Sequence, residues 1–143
     1  MPLQCNFSVN ANSRGGQCNG GFQANGQTLN NSDYIAVNLT VNGIAAGQTP
    51  PDVTAYFIVS TDPKAKNQSL ATPFTQTEDA SSPLVCFFTG TVPGSQAVGN
   101  PPVYSFQSPT YYGGAQGMYE LTAVFQTSTG QQYSEDPEFD TGV

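Results

Sequence analysis

Histidine and tryptophan are absent from these 143 residues, and only three side chains are basic: Arg14, Lys64 and Lys66. Without histidine there is no imidazole to act as general base, to partner a nucleophilic serine or cysteine, or to ligate a transition metal. Three scattered cations against ten acids leave a net charge of −7. Nucleic-acid affinity comes from Lys and Arg displacing counterions from phosphates, so neither DNA nor RNA is an expected partner. An anionic membrane surface is disfavoured for the same reason. Long apolar runs are missing too. The longest are five residues, 55–59 and 84–88, whereas a membrane span takes about twenty, so membrane insertion is not expected. Residues 1–7 have neither the basic nor the apolar part of an export signal. Read alone, the chain either is not exported through a signal peptide or has had one removed.

Uncharged polar residues fill the space left by charge. Asn, Gln, Ser, Thr and Gly make up 66 of the 143 residues, and charged residues only 9%, against roughly 25% in an average soluble protein. This style of solvation is common on extracellular and particle-surface proteins. The length suits one domain over 1–143, able to bury about two-thirds of its unfolded surface. Cysteines 5, 18 and 86 are odd in number, which excludes a closed disulfide framework. Cys5 and Cys18 either pair, closing a Gly-rich loop, or all three stay free thiols, two of them on apolar faces.

The hydrophobic period is two. Leu3, Cys5, Phe7 and Val9 alternate with polar residues, and Ile35, Val37, Leu39 and Val41 do so more cleanly. Each pattern predicts a strand with one wet face. Residues 53–60 are apolar on both sides at their centre, where Tyr56 and Ile58 oppose Phe57 and Val59. That predicts a central strand. Strands are also expected at 84–92, 103–107, 118–127 and 131–135, with a short edge strand near 70–75. Gly, Pro and Asn turns separate them, and 11–21 reads as a flexible loop. The predicted core is Val37, Leu39, Val41, Phe57, Val59, Leu84, Cys86, Phe88, Leu121, Ala123 and Phe125. The chain therefore reads as all-β, with no helix longer than about two turns.

The stretch Gly117-Met118-Tyr119-Glu120-Leu121-Thr122-Ala123 resembles the Y-x-L-x-A stretch of immunoglobulin-like and fibronectin-type-III-like domains. In that family the tyrosine opens a late strand and its hydroxyl bonds back to upstream backbone. Tyr119 takes that position, and the strand, turn and strand after it match the family's F–G hairpin. The likeness covers about 25 residues, and beyond them only the strand count agrees. The B–F disulfide and buried Trp of antibody domains are missing. The resemblance implies an antiparallel Ig-like β-sandwich of 7–8 strands with long polar loops, and a buried Tyr119 with a backbone-bonded hydroxyl. A jelly roll is the alternative.

Few side-chain groupings suggest chemistry. Glu135, Asp136, Glu138 and Asp140 concentrate acid near the C-terminus, within the tail 136–143 and just before it. Clustered carboxylates attract hard cations, but the calcium-loop spacing is absent and a solvated terminal strand explains them better. Glu78-Asp79 has no apolar surroundings to raise a carboxyl pKa. Sequons begin at Asn6, Asn30, Asn38 and Asn67; the composition supplies roughly two by chance, so four are weak evidence for glycosylation. The binding candidates are Tyr104, Phe106, Tyr111 and Tyr112, four aromatics within nine residues. They serve either as an amphipathic contact surface or partly as core. Lys64 and Lys66 stand in the other long polar loop. No cofactor motif is present.

These readings favour a non-enzymatic structural or interaction protein. The expected role is decoration or cementing of a virion surface, as on a phage capsid, with capsid or surface-assembly subunits as partners and homo-oligomers in view. The alternative is an extracellular adhesin or carbohydrate-binding module that takes a glycan on Tyr111 and Tyr112.

Overall fold

The computed structural model describes residues 2–22, 28–30, 32–60, 86–111 and 117–141. Side chains are described throughout these ranges except at residues 60, 86, 87, 117, 118, 140 and 141. Strands β1 (Leu3–Asn10) and β5 (Ile35–Asn42) carry the two alternating patterns, and in each every second residue is buried. The strands lie side by side in phase, Leu3 opposite Ile35 and Asn10 opposite Asn42, so both apolar rows fall on one face. They run parallel. β3 (Asn19–Phe22) flanks β1 and β8 (Val103–Gln107) flanks β5, giving a first sheet in the order β3-β1-β5-β8.

The second sheet is built on the longest strand, β9 (Gly117–Thr127). β6 (Val53–Ser60) pairs with one side of β9 and with β7 (Cys86–Val92) beyond. Two short strands share the other side of β9: β11 (Glu138–Thr141) on its first half and β10 (Gln132–Glu135) on its second. β2 (Gly16–Gln17) adds to β10 and β4 (Thr28–Leu29) to β11, both parallel. Position 58 shows why the sequence marks β6 as central. Ile58 faces away from the core and is still buried, as is Val124 of the adjacent β9.

The inner faces of the sheets meet through aromatic rings. Phe57 of β6 stacks on Phe88 of β7, with centroids 4.5 Å apart. It also meets Phe106 of β8 edge-on at 5.7 Å, across the gap between sheets. Phe7 of β1 meets Phe125 of β9 at 5.5 Å. Such pairs contribute about 0.5–1.5 kcal/mol each beyond their buried area. Of the predicted core, Val37, Leu39, Val41, Phe57, Val59, Phe88, Leu121, Ala123 and Phe125 are buried. Leu84 and the side chain of Cys86 lie outside the described residues, as does the strand expected near 70–75. Among the described residues the one helical element is a 3-10 turn, Gly94–Gln96, and no helix is long and apolar enough to cross a membrane.

Two expectations need correction. The sheets are mixed rather than purely antiparallel, because β1/β5, β2/β10 and β4/β11 are all parallel pairs. The segment 11–21 is also not simply a loop. It enters the second sheet as β2, crosses at Cys18 and joins the first as β3. The Cys18 N–H donates to Ser134 O at 3.0 Å at the crossing. Glycine hides this strand from a pattern search, since it has no side chain to alternate. It also makes the strand fit: Gly20 has φ +116°, and a Cβ there would lie 2.1 Å from Asn6 O. One side of the sandwich is thereby closed by strands passing between sheets. On the other side stand β7 and β8.

Candidate functional site

The outer face of the first sheet follows from the same alternation that builds the core. With the odd positions of β1 and β5 turned inward, Gln4, Asn6 and Ser8 turn outward beside Ala36, Asn38 and Thr40. β8 adds Val103, Ser105 and Gln107, and β3 adds Asn19 and Gly21. No residue of this face carries a charge, although the chain as a whole is at −7.

The side chains of the face are tied together. Asn6, Asn38 and Ser105 stand in one row across three strands. Ser105 Oγ donates to Asn38 Oδ1 at 2.7 Å, and Asn38 Nδ2 donates to Asn6 Oδ1 at 3.4 Å. Gln4 Nε2 donates to the same Asn6 oxygen at 2.9 Å and to Ala36 O at 3.3 Å. An amide–hydroxyl row of this kind holds its rotamers fixed before any contact is made. A partner covering it has no ion to desolvate, so burial costs less than at a charged surface. The sequence marks these residues only as the polar half of strands; their order across the sheet follows from register.

The aromatic candidates lie elsewhere. Tyr104 is fully buried, and Phe106 and Tyr111 are buried as well. These three do not form an exposed platform, because positions 104 and 106 fall on the inner parity of β8. Tyr111 is held from both sides of its peptide: its N–H donates to Asp33 O at 2.7 Å, and its carbonyl accepts from Ser32 N–H at 2.7 Å. Tyr112, Lys64 and Lys66 lie outside the described residues. Burial, and secondarily Asp52, pushes the Tyr104 hydroxyl pKa above its ordinary value. Tyr119, the residue of the family resemblance, is buried and stacks on Phe139. Burial, then Tyr111, raises its pKa too.

The acidic tail is a strand rather than a cage. Phe139 of β11 is buried in the core, and Glu138 stands opposite Glu120 in the ladder. Glu135 accepts from Gln17 Nε2 at 2.7 Å and from the Asp136 N–H at 2.9 Å. The Asp140 side chain lies outside the described set. Among the described residues no group of three or more His, Cys, Asp or Glu could hold a metal ion.

Cys5 and Cys18 are free, buried thiols. Cys5 stands opposite Phe22 on β3, and Cys18 sits just before that strand, where the chain crosses between the sheets. Burial and then Glu135 push the Cys18 thiol up to about 12. Burial and then Cys18 raise Cys5 further still. Neither thiol has the lowered pKa of a nucleophile.

Neither a protein-family model nor a curated protein matches this sequence.

Proposed function

We propose that this chain is a non-enzymatic interaction domain with an Ig-like sandwich, working by protein–protein contact as a decoration or cement protein on a virion surface. The observation that carries this reading is the charge-free outer face built on Asn6, Asn38 and Ser105 in a chain of net charge −7. Copies that repel one another at long range can still seat this neutral face on a common surface. The strand arrangement supports the Ig-like part. β5 pairs with β8, and β6, β9 and β10 follow one another in the opposite sheet, as strands B–E and C–F–G do in that family. The parallel β1/β5 pair departs from it. The carbohydrate alternative draws less support, since Tyr111 is buried.

Thr40→Glu tests the reading. Thr40 lies on the neutral face between Ser8 and Val103, so the variant places a carboxylate there without touching the core. The variant is expected to fold normally and to lose its place on the native particle, read by cryo-microscopy and by cross-linking. Undiminished association, or a chain found only as a dispersed monomer binding a sugar, would remove the proposal.

A further inference from the structure

β8 forms the margin of the first sheet, and among the described residues β5 is its one strand partner. The bonds that bracket it set the direction of its backbone groups. The Val41 N–H donates to Pro102 O at 3.0 Å, and the Ser108 N–H donates to Ile35 O at 2.9 Å. In an antiparallel pair each residue turns both of its backbone groups to one neighbour, and the side alternates along the strand. Residues 104 and 106 therefore bond to β5, while Val103, Ser105 and Gln107 turn their N–H and C=O groups outward. Val103 bears this out, for it exchanges both bonds with Val98, at 2.9 and 3.0 Å, on the outer side.

Val98 thus begins a lane along the β8 edge, but among the described residues the chain does not continue it. The residues before Val98 form the 3-10 turn Gly94–Gln96, in which the Gln96 N–H is bonded to Pro93 O. Ser105 and Gln107 are left exposed. Natural edges are commonly blunted by charge, proline or a bulge, and β8 has none of these: its sequence is VYSFQ and its register with β5 is unbroken. Val98, at the head of the lane, is 73% exposed, the one large apolar side chain so exposed among the described residues. The ring of Phe106 lies at the core margin between the two outward-turned residues. Gly90 of β7 faces it, where a Cβ would sit 3.5 Å away.

We propose that the β8 edge is a strand-addition site for an extended, uncharged segment of another protein; this rests on the interaction-domain reading above. Ser105 and Gln107 present two N–H donors and two carbonyl acceptors at a two-residue spacing of about 6.8 Å, which matches the backbone of an added strand. The added residue between the two bonded positions falls on the Phe106 side and must be apolar. Its neighbours fall beside the neutral outer face and are small and polar. The net charge of −7 disfavours an acidic segment. A second copy fits less well. Antiparallel pairing of two β8 strands about Phe106 would bring the other copy's residue 109 into the position beside Val103 that Val98 already holds.

The test is a titration of the isotope-labelled full chain with an end-blocked heptapeptide alternating threonine and valine. Binding is expected to shift the amide resonances of Ser105 and Gln107 and to slow their hydrogen exchange. Gln107→Pro deletes an outward donor and puts a ring in the lane, so affinity is expected to fall about tenfold or more. Continued protection of the Phe106 amide in that variant reports that β5–β8 pairing is intact. Three results would overturn the proposal: no change at these amides in millimolar peptide, unaltered affinity in the proline variant, or peptide-free protection that grows with protein concentration and so identifies a second copy. Loss of particle association in Thr40→Glu bears on the broader reading and is independent of this titration.

Discussion

The Tyr104 hydroxyl donates to Pro51 O at 2.5 Å and so ties β8 of one sheet to the residues that lead into β6 of the other. Fifty-three residues separate the two partners. The bond fastens the β5–β6 loop at the end of the sandwich where Gly94 also closes on Pro50. Tyr133 makes a similar tie, donating to Asn10 O at 3.1 Å. Tyr104→Phe keeps the ring in the core and leaves the Pro51 carbonyl without this donor. A loss of about 1–3 kcal/mol is expected in urea denaturation. A change near zero would mean that water replaces the hydroxyl.

Leu39 has no exposed surface and lies mid-strand in β5, between β1 and β8. Leu39→Ala is expected to cost about 2–5 kcal/mol, the transfer term plus a cavity that a sheet bonded on both sides cannot collapse. Calorimetry or denaturant titration measures it. A loss below about 0.5 kcal/mol would put Leu39 at the surface and reverse the register of the whole face.

Two glycines with similar backbone angles separate strain from collision. Gly130 has φ +96° and open space where a Cβ would point, whereas at Gly20 the Cβ would strike Asn6 O. Gly130→Ala is expected to cost about 1 kcal/mol from the backbone alone. Gly20→Ala should exceed it clearly, because β3 must move away from β1 to make room. Equal losses in paired unfolding curves would show that β3 adapts freely.

Alkaline pH should unfold this protein from the thiol range upward. The Cys18 thiol is raised from 9.0 to about 12 on folding, and Cys5, Tyr104 and Tyr119 also shift upward. In each case the native state holds its proton to higher pH than the unfolded chain. The stability these groups contribute is therefore present below pH 9 and is lost as pH rises from there toward the folded values, where the unfolded state binds fewer protons. Urea midpoints measured from pH 8 to 11 should decline, and Cys18→Ala should decline less steeply. A flat profile would mean that both thiols reach solvent in the native state.

Asn38→Asp sets a charge in the amide row. Ser105 Oγ keeps its acceptor, but the donor toward Asn6 is replaced by an oxygen facing an oxygen. A loss of about 1–3 kcal/mol at neutral pH is expected, largely regained when the new carboxyl is protonated in acid. Paired denaturation curves at pH 7 and pH 3.5 check both parts.

Strand identity in this protein is local chemistry. The alternation in 3–10 and 35–42, and the two-sided apolar centre of 53–60, determine by themselves that these segments are strands, which faces are dry, and that β6 is interior. Side-chain period survives without knowledge of neighbours, because each residue's face follows from its parity. Direction and partnership do not survive. That β1 runs parallel to β5, and that 11–21 crosses between sheets on glycines, are choices made by long-range backbone bonding. The aromatic segment shows the same boundary. Tyr104 and Phe106 read equally as contact surface or core until β8 is set against β5 and its inner parity fixed. The neutral face became a site in the same way, since Asn6, Asn38 and Ser105 lie far apart along the chain. Only the register of three strands puts their amides and hydroxyl within bonding distance.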